Sequence, residues 1–168
     1  LPDSMNTLTG ALMEPLAVGM HAAAIGRVEA PKTVIILGAG CIGLCTLLCC
    51  KHRGAARIIV CDLFPKRLEL AKKLGADEVV NASECDSVKE IIRLTNGEGG
   101  DVVFETAGNK VTTSQTSYLA RRGGTIVIVG NVQGDVPFNF RNLCTAEIEL
   151  ETTKRYCNAF EKCLSAIN

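Results

Sequence analysis

Three closely spaced glycines, Gly38, Gly40 and Gly43, follow a short apolar run at Thr33–Leu37 and precede a segment with helical character. In such a loop the first glycine permits a tight turn, the second lets backbone approach a diphosphate, and the third lets the helix pack closely on the sheet. Unpaired N–H groups at the start of that helix attract phosphate. The pattern therefore predicts a dinucleotide diphosphate site formed by Gly38, Gly40, Cys41, Ile42 and Gly43.

An acidic residue, Asp62, ends the next apolar run and lies 19 residues after Gly43. A separation of about 20 residues is typical of the acid that binds the ribose hydroxyls of NAD, and its charge would repel the extra phosphate of NADP. Arg67 follows within a helical segment, where it either stacks near the adenine or is simply a solvated cation. NAD is therefore the predicted cofactor.

Small residues end the predicted fourth and fifth strands. Because ligands bind beyond the carboxyl ends of parallel strands, these residues either let a nicotinamide ring lie close to the backbone or form ordinary turns. The candidate cofactor contacts at these two strand ends are Thr106, Ala107, Val129, Gly130 and Asn131.

Alternating strands and helices are predicted to position these residues. Apolar runs start near residues 33, 57, 78, 101 and 125, and helical segments are expected at 42–51, 65–74, 87–95 and 110–121. This rhythm predicts an α/β fold, a Rossmann doubly wound six-stranded parallel sheet with helices on both faces. The sixth strand is expected at residues 144–153, as an exposed edge that would pair with a second copy in a homo-oligomer. Residues 6–26 read as two helical pieces broken at Glu14-Pro15, and residues 156–168 as an amphipathic segment.

Composition narrows the class of protein. The 168 residues are 47% hydrophobic, and 18 basic residues balance 18 acidic ones, so no net charge would attract nucleic acid or a membrane surface. No apolar run reaches the roughly 18–20 residues that a membrane span requires, and the start at Leu1 reads as internal to a longer chain. Nine cysteines without C-x-x-C spacing predict reduced, buried thiols and a cytoplasmic location.

Residues that could complete the redox chemistry are scarce. Oxidising an alcohol requires a metal or a general base at the oxygen, yet His21 and His52 have no partners at metal-ligand spacing. The sequence alone thus predicts cofactor binding without the means to use the cofactor.

A family resemblance supplies what is missing. The segment at 14–22 resembles the approach to the cofactor domain of zinc-dependent medium-chain dehydrogenases, closest to the sorbitol and xylitol branch. The glycine loop, Asp62-Leu63, 105–108 and 123–125 continue the resemblance in order. Arg155-Tyr156-Cys157-Asn158 resembles a stretch typical of polyol dehydrogenases, although Lys154 stands where that branch usually has Phe.

The resemblance implies that this chain is the cofactor half of an alcohol or polyol dehydrogenase. Residues 1–30 would lead in from a catalytic domain, and residues 31–168 would bind NAD. The zinc ligands would lie upstream of Leu1, Glu14 would approach the zinc or its water, and Arg155 would bind polyol hydroxyls. The chain alone is expected to be inactive. Open alternatives are an L-threonine or butanediol dehydrogenase, a quinone-reductase relative that prefers NADPH, a methyltransferase, and a non-catalytic nucleotide-binding module.

Overall fold

A six-stranded parallel sheet forms the centre of the molecule in the computed structural model, which describes Pro2 and residues 5–167. The strands are β1 Thr33–Leu37, β2 Arg57–Asp62, β3 Glu78–Asn81, β4 Gly100–Glu105, β5 Ala120–Ile128 and β6 Glu149–Thr152. The helices are α1 Thr7–Ile25, α2 Cys41–His52, α3 Pro65–Leu74, α4 Ser87–Leu94, α5 Lys110–Leu119, α6 Phe140–Ala146 and α7 Phe160–Ile167. The spatial order β3-β2-β1-β4-β5-β6 is that of a doubly wound dinucleotide-binding sheet, which confirms the predicted fold class.

Both faces of the sheet are covered, because alternate residues of each central strand point to opposite sides. Val34 and Ile36 of β1 share a core with buried residues of α1, α2, α3 and α7. Ile35 and Leu37 share the opposite core with α4, α5 and α6. This double burial explains why the central strands read as continuous apolar runs.

The N-terminal helix corrects one prediction. Residues 7–25 form a single helix with Pro15 in its interior, whereas a break at Glu14-Pro15 was expected. An interior proline removes a hydrogen bond and costs about 3 kcal/mol, but α1 is held on both sides of it by buried Met13 and Ala17. The backbones of α1 and α2 are so close that a methyl group at Gly19 would lie 2.7 Å from the Cys45 carbonyl carbon. Tertiary packing therefore outweighs the local signal.

The end of the chain corrects a second prediction. The alternation at residues 144–153 predicted one strand, but its first part belongs to α6 and only Glu149–Thr152 forms β6. Asn139 caps α6 by accepting a hydrogen bond from the backbone N–H of Asn142, and Leu143 is its buried anchor. β5 also begins earlier than expected, at Ala120, because α5 stops at Leu119.

One helix of the described chain, α1, is long and apolar enough to cross a membrane by length and composition alone, with a mean hydropathy of 1.3. The sequence predicted no run of that kind. Met13, Ala17 and Met20 of α1 are buried in the core that α1 shares with the sheet. The expectations of no membrane partner and of a cytoplasmic location stay predictions.

Candidate cofactor-binding cleft

The glycine loop connects β1 to α2 at the carboxyl edge of the sheet, and each glycine has a distinct environment. A methyl group at Gly43 would overlap the Gly38 carbonyl oxygen and lie 2.8 Å from Thr106 Oγ1, so the close approach of α2 requires glycine there. Gly38 has a φ of +104°, which residues with a side chain rarely adopt. Gly40 differs, because a methyl group there would meet no heavy atom within 4 Å. The loop is thus closely packed at Gly38 and Gly43 and open at Gly40, where a ligand could approach its backbone.

The start of α2 lacks the side-chain cap that most other helices have. Asn6, Asp86, Asn109 and Asn139 each accept a backbone hydrogen bond at the start of α1, α4, α5 and α6. Gly40 at the start of α2 has no side chain to do so. The first N–H groups of a helix have no intrahelical partner and carry partial positive charge. The start of α2, with Cys41 and Ile42 as its first residues, is therefore suited to bind an anion.

Asp62, at the end of β2, directly adjoins the glycine loop. Its Oδ2 accepts a hydrogen bond from the Ala39 N–H at 2.7 Å, and its Oδ1 accepts one from the Phe64 N–H at 2.9 Å. The carboxylate therefore fixes the loop, and 7% of its side chain is exposed. The predicted partnership between loop and acid is present in the geometry.

Arg67 lies on α3 above this carboxylate. Its guanidinium group is 3.7 Å from Asp62 Oδ2 and 4.8 Å from the centre of the Phe64 ring. Leu63 and Phe64 are each 55% exposed, so this corner combines apolar surface with a cation. Planar guanidinium groups and aromatic rings both stack on nucleobases, so either of the two predicted roles of Arg67 suits this position.

The ends of β4 and β5 complete the cleft. Thr106 Oγ1 lies 2.9 Å from the carbonyl oxygens of both Leu37 and Gly38, so its hydroxyl ties β4 to the glycine loop. Ala107 follows on the exposed side. Val129 and Gly130 both donate backbone hydrogen bonds to the Glu105 carbonyl oxygen at 2.9 Å. The structure thus brings the predicted residues Thr106, Ala107, Val129, Gly130 and Asn131 to the same edge as Gly38.

A buried acid, Glu105, lies beneath these strand ends, and sequence reasoning gave it no role. It is fully buried, and its Oε1 accepts hydrogen bonds from the N–H groups of Ala107 and Gly108 and from the Thr112 hydroxyl. Burial raises the pKa of the Glu105 carboxyl, while the bond from Thr112 opposes the rise. The only local signal was an acid at the end of the apolar run at 102–104.

The two residues predicted to act on substrate, Glu14 and Arg155, are both exposed. Glu14 lies on α1 near the start of α2, where its charge contributes to raising the pKa of the Cys45 thiol to about 12, after burial and the neighbouring Cys41 and Cys163. Arg155 follows β6 with a φ of +58°. All nine cysteines are free thiols.

Zinc does not fit the residues at hand. Within Pro2 and residues 5–167, no three His, Cys, Asp or Glu side chains come close enough together to hold a metal ion. This edge of the sheet thus offers no metal-binding set among the residues that the structure describes.

Comparison with known proteins places the chain in a family. Residues 41–168 match the family described as zinc-binding dehydrogenase. The chain is 48% identical, over all of its 168 residues, to the zinc-type alcohol dehydrogenase-like protein YdjJ of Escherichia coli, covering 48% of that protein. It is 41% identical over 163 residues to sorbitol dehydrogenase of Bacillus subtilis, covering 96% of this chain and 46% of the relative.

Solved structures agree. A zinc-binding dehydrogenase from Sinorhizobium meliloti, bound to NADP, matches 99% of this chain and 50% of its own with a TM-score of 0.94 and 29% identity. The chain therefore belongs to the zinc-binding dehydrogenase family, as the resemblance implied. It spans about half the length of the curated relatives that it matches.

Proposed function

We propose that this chain is the NAD-binding domain of a zinc-dependent polyol dehydrogenase. The observation that carries the proposal is the uncapped start of α2 behind the open Gly40, with the Asp62 carboxylate anchored beside it. A helix start binds the diphosphate, and an adjacent acid binds a ribose diol. Residues 31–168 would form this domain, and residues 1–30 would lead in from the catalytic part.

Each part of the cleft has a task in this proposal. The diphosphate is held by Gly38, Gly40, Cys41, Ile42 and Gly43. Asp62 accepts hydrogen bonds from the ribose hydroxyls, and Arg67 covers the adenine. The strand ends at Thr106, Ala107, Val129, Gly130 and Asn131 flank the nicotinamide, which when bound supplies the hydride acceptor or donor. Asp62 disfavours NADP through its charge, even though a relative of this fold was solved with NADP.

The substrate is proposed to be a polyol because a sorbitol dehydrogenase is among the relatives. Arg155 would bind substrate hydroxyls, and Glu14 would face the zinc or its water from this side of the cleft. The zinc itself would be held by residues outside this chain, since the described part offers no set of ligands. L-threonine and butanediol remain alternative substrate classes, because the cofactor loop does not distinguish between alcohols.

Cofactor titration tests the proposal directly. NADH is expected to bind at least about tenfold more tightly than NADPH, because the ribose phosphate would meet the Asp62 carboxylate. Asp62→Asn should weaken NADH binding and narrow that preference. Asp77→Asn is the matched control, since Asp77 accepts a hydrogen bond from the Ile58 N–H at the other end of β2 and lies away from the cleft. Both variants should lose similar stability, but only the first should lose cofactor selectivity.

Equal binding of NADH and NADPH, or a selectivity unaffected by Asp62→Asn, would contradict the assignment. The same preparation tests the division of labour. Purified 168-residue chain with NAD, sorbitol and added zinc should show no turnover, and zinc-dependent turnover would place the catalytic groups within this chain.

A further inference from the structure

We propose that Glu105 is a positioning residue that joins the three segments on the nicotinamide side of the cleft and that its negative charge favours oxidised over reduced cofactor. The inference rests on the proposed function, because it needs a nicotinamide ring above these strand ends. It adds a determinant of the cofactor's redox form to the nicotinamide side of the proposed site.

The first step is the place of the carboxylate. Glu105 ends β4, and its side chain turns back under the loop that follows, where the Gly108 N–H lies 2.9 Å from Oε1 and 3.2 Å from Oε2. The Thr112 hydroxyl of α5 lies 2.6 Å from Oε1. One carboxylate thus holds the loop after β4 against the first turn of α5.

The second step is its contact with the loop after β5. A methyl group at Gly130 would overlap both Glu105 Oε2 and the Gly108 nitrogen. The Val129 and Gly130 N–H groups donate to the main-chain carbonyl of the same glutamate. Glu105 therefore lies directly beneath the backbone that the proposed function assigns to the nicotinamide.

The third step is electrostatic. The groups that donate to the Glu105 carboxylate, two backbone N–H groups and one hydroxyl, stabilise its ionised form against the cost of burial. The nicotinamide ring carries a positive charge in NAD⁺ and none in NADH. Because Glu105 is buried, water screens its charge only weakly, so an ionised Glu105 would stabilise bound NAD⁺ and leave NADH nearly unaffected.

The test compares the dissociation constants of NAD⁺ and NADH, measured at mildly alkaline pH on the full chain. Glu105→Gln keeps the shape and removes the charge, and it should raise the NAD⁺-to-NADH ratio of dissociation constants about tenfold. Glu105→Asp keeps the charge, so its ratio should stay near that of the unsubstituted chain even where both affinities fall. Glu98→Gln is the matched control, since it removes an exposed charge before the opposite end of β4 and should leave the ratio unchanged.

A purely structural role gives a different result. If Glu105→Gln weakens both cofactor forms equally, or leaves the ratio unchanged, the electrostatic role is wrong. Sucrose, which stabilises compact states, keeps a destabilised variant folded for the titration. Failure of the proposed function is recognised separately, because the unsubstituted chain would then bind neither cofactor form.

Discussion

The carboxyl edge of the sheet is built in two different ways, at its central strands and beyond the edge strand β6. At β1 and β2 the glycine loop, Thr106 and Asp62 are fixed by backbone contacts and close packing. Beyond β6 the chain carries exposed Arg155, and no hydrogen bond or ion pair of its side chain occurs within the described residues. The glycine loop is therefore closely packed, whereas the Arg155 side chain is exposed.

The largest expected effect lies at the closely packed glycine loop. Gly43→Ala should lower the free energy of unfolding by about 2 kcal/mol, because the new methyl group overlaps the Gly38 carbonyl and the loop must move. NADH affinity should fall at least about tenfold with it. Gly40→Ala is the control: its φ of −74° and open surroundings predict a stability change within about 0.5 kcal/mol. Denaturant unfolding measures both variants. Equal losses of free energy of unfolding would show that the loop is not tightly packed.

A smaller effect is expected at the sheet edge, where homo-oligomerisation through β6 is proposed. Leu150 is 41% exposed on this strand, so Leu150→Lys should weaken self-association about tenfold by placing a charge in the interface. Leu70→Lys on α3 starts from a similar exposure of 44% and should leave association unchanged. Sedimentation velocity distinguishes these outcomes. An unsubstituted chain that stays monomeric at high concentration would contradict the proposed interface.

The smallest effect is expected at Arg155, whose φ of +58° is disfavoured for residues with side chains. Arg155→Gly should leave the free energy of unfolding within about 0.5 kcal/mol, and Arg155→Val should lower it by about 1 kcal/mol, since branching at Cβ is least tolerated there. Lys154→Val, one residue earlier and also exposed, lacks a positive φ and serves as control. Equal stability of the glycine and valine variants at 155 would show that this turn is not held in the left-handed conformation.

The same contrast explains what the sequence could reveal. The glycine loop, Asp62 and the strand rhythm depend on local spacing, and the fold class predicted from them is confirmed. The continuity of α1 through Pro15 depends on contact with α2 across Gly19, which no local pattern shows. The first part of the predicted sixth strand was wrong although Asn139 before Phe140 offers a local cap signal for α6. Glu105 could not be assigned a role because its contact with Gly130 arises only when β4 and β5 pair in the sheet, although its partners Ala107 and Thr112 are close in sequence.

The capping pattern has a thermodynamic consequence. Four helices carry their own cap, whereas α2 leaves its first N–H groups for something else. A ligand that binds only the folded state stabilises it in proportion to the logarithm of its free concentration. Bound diphosphate would act as the missing cap, so the melting temperature of the domain should follow the cell's supply of dinucleotide. The stability of the domain and the occupancy of its cofactor site would then depend on the same small molecule.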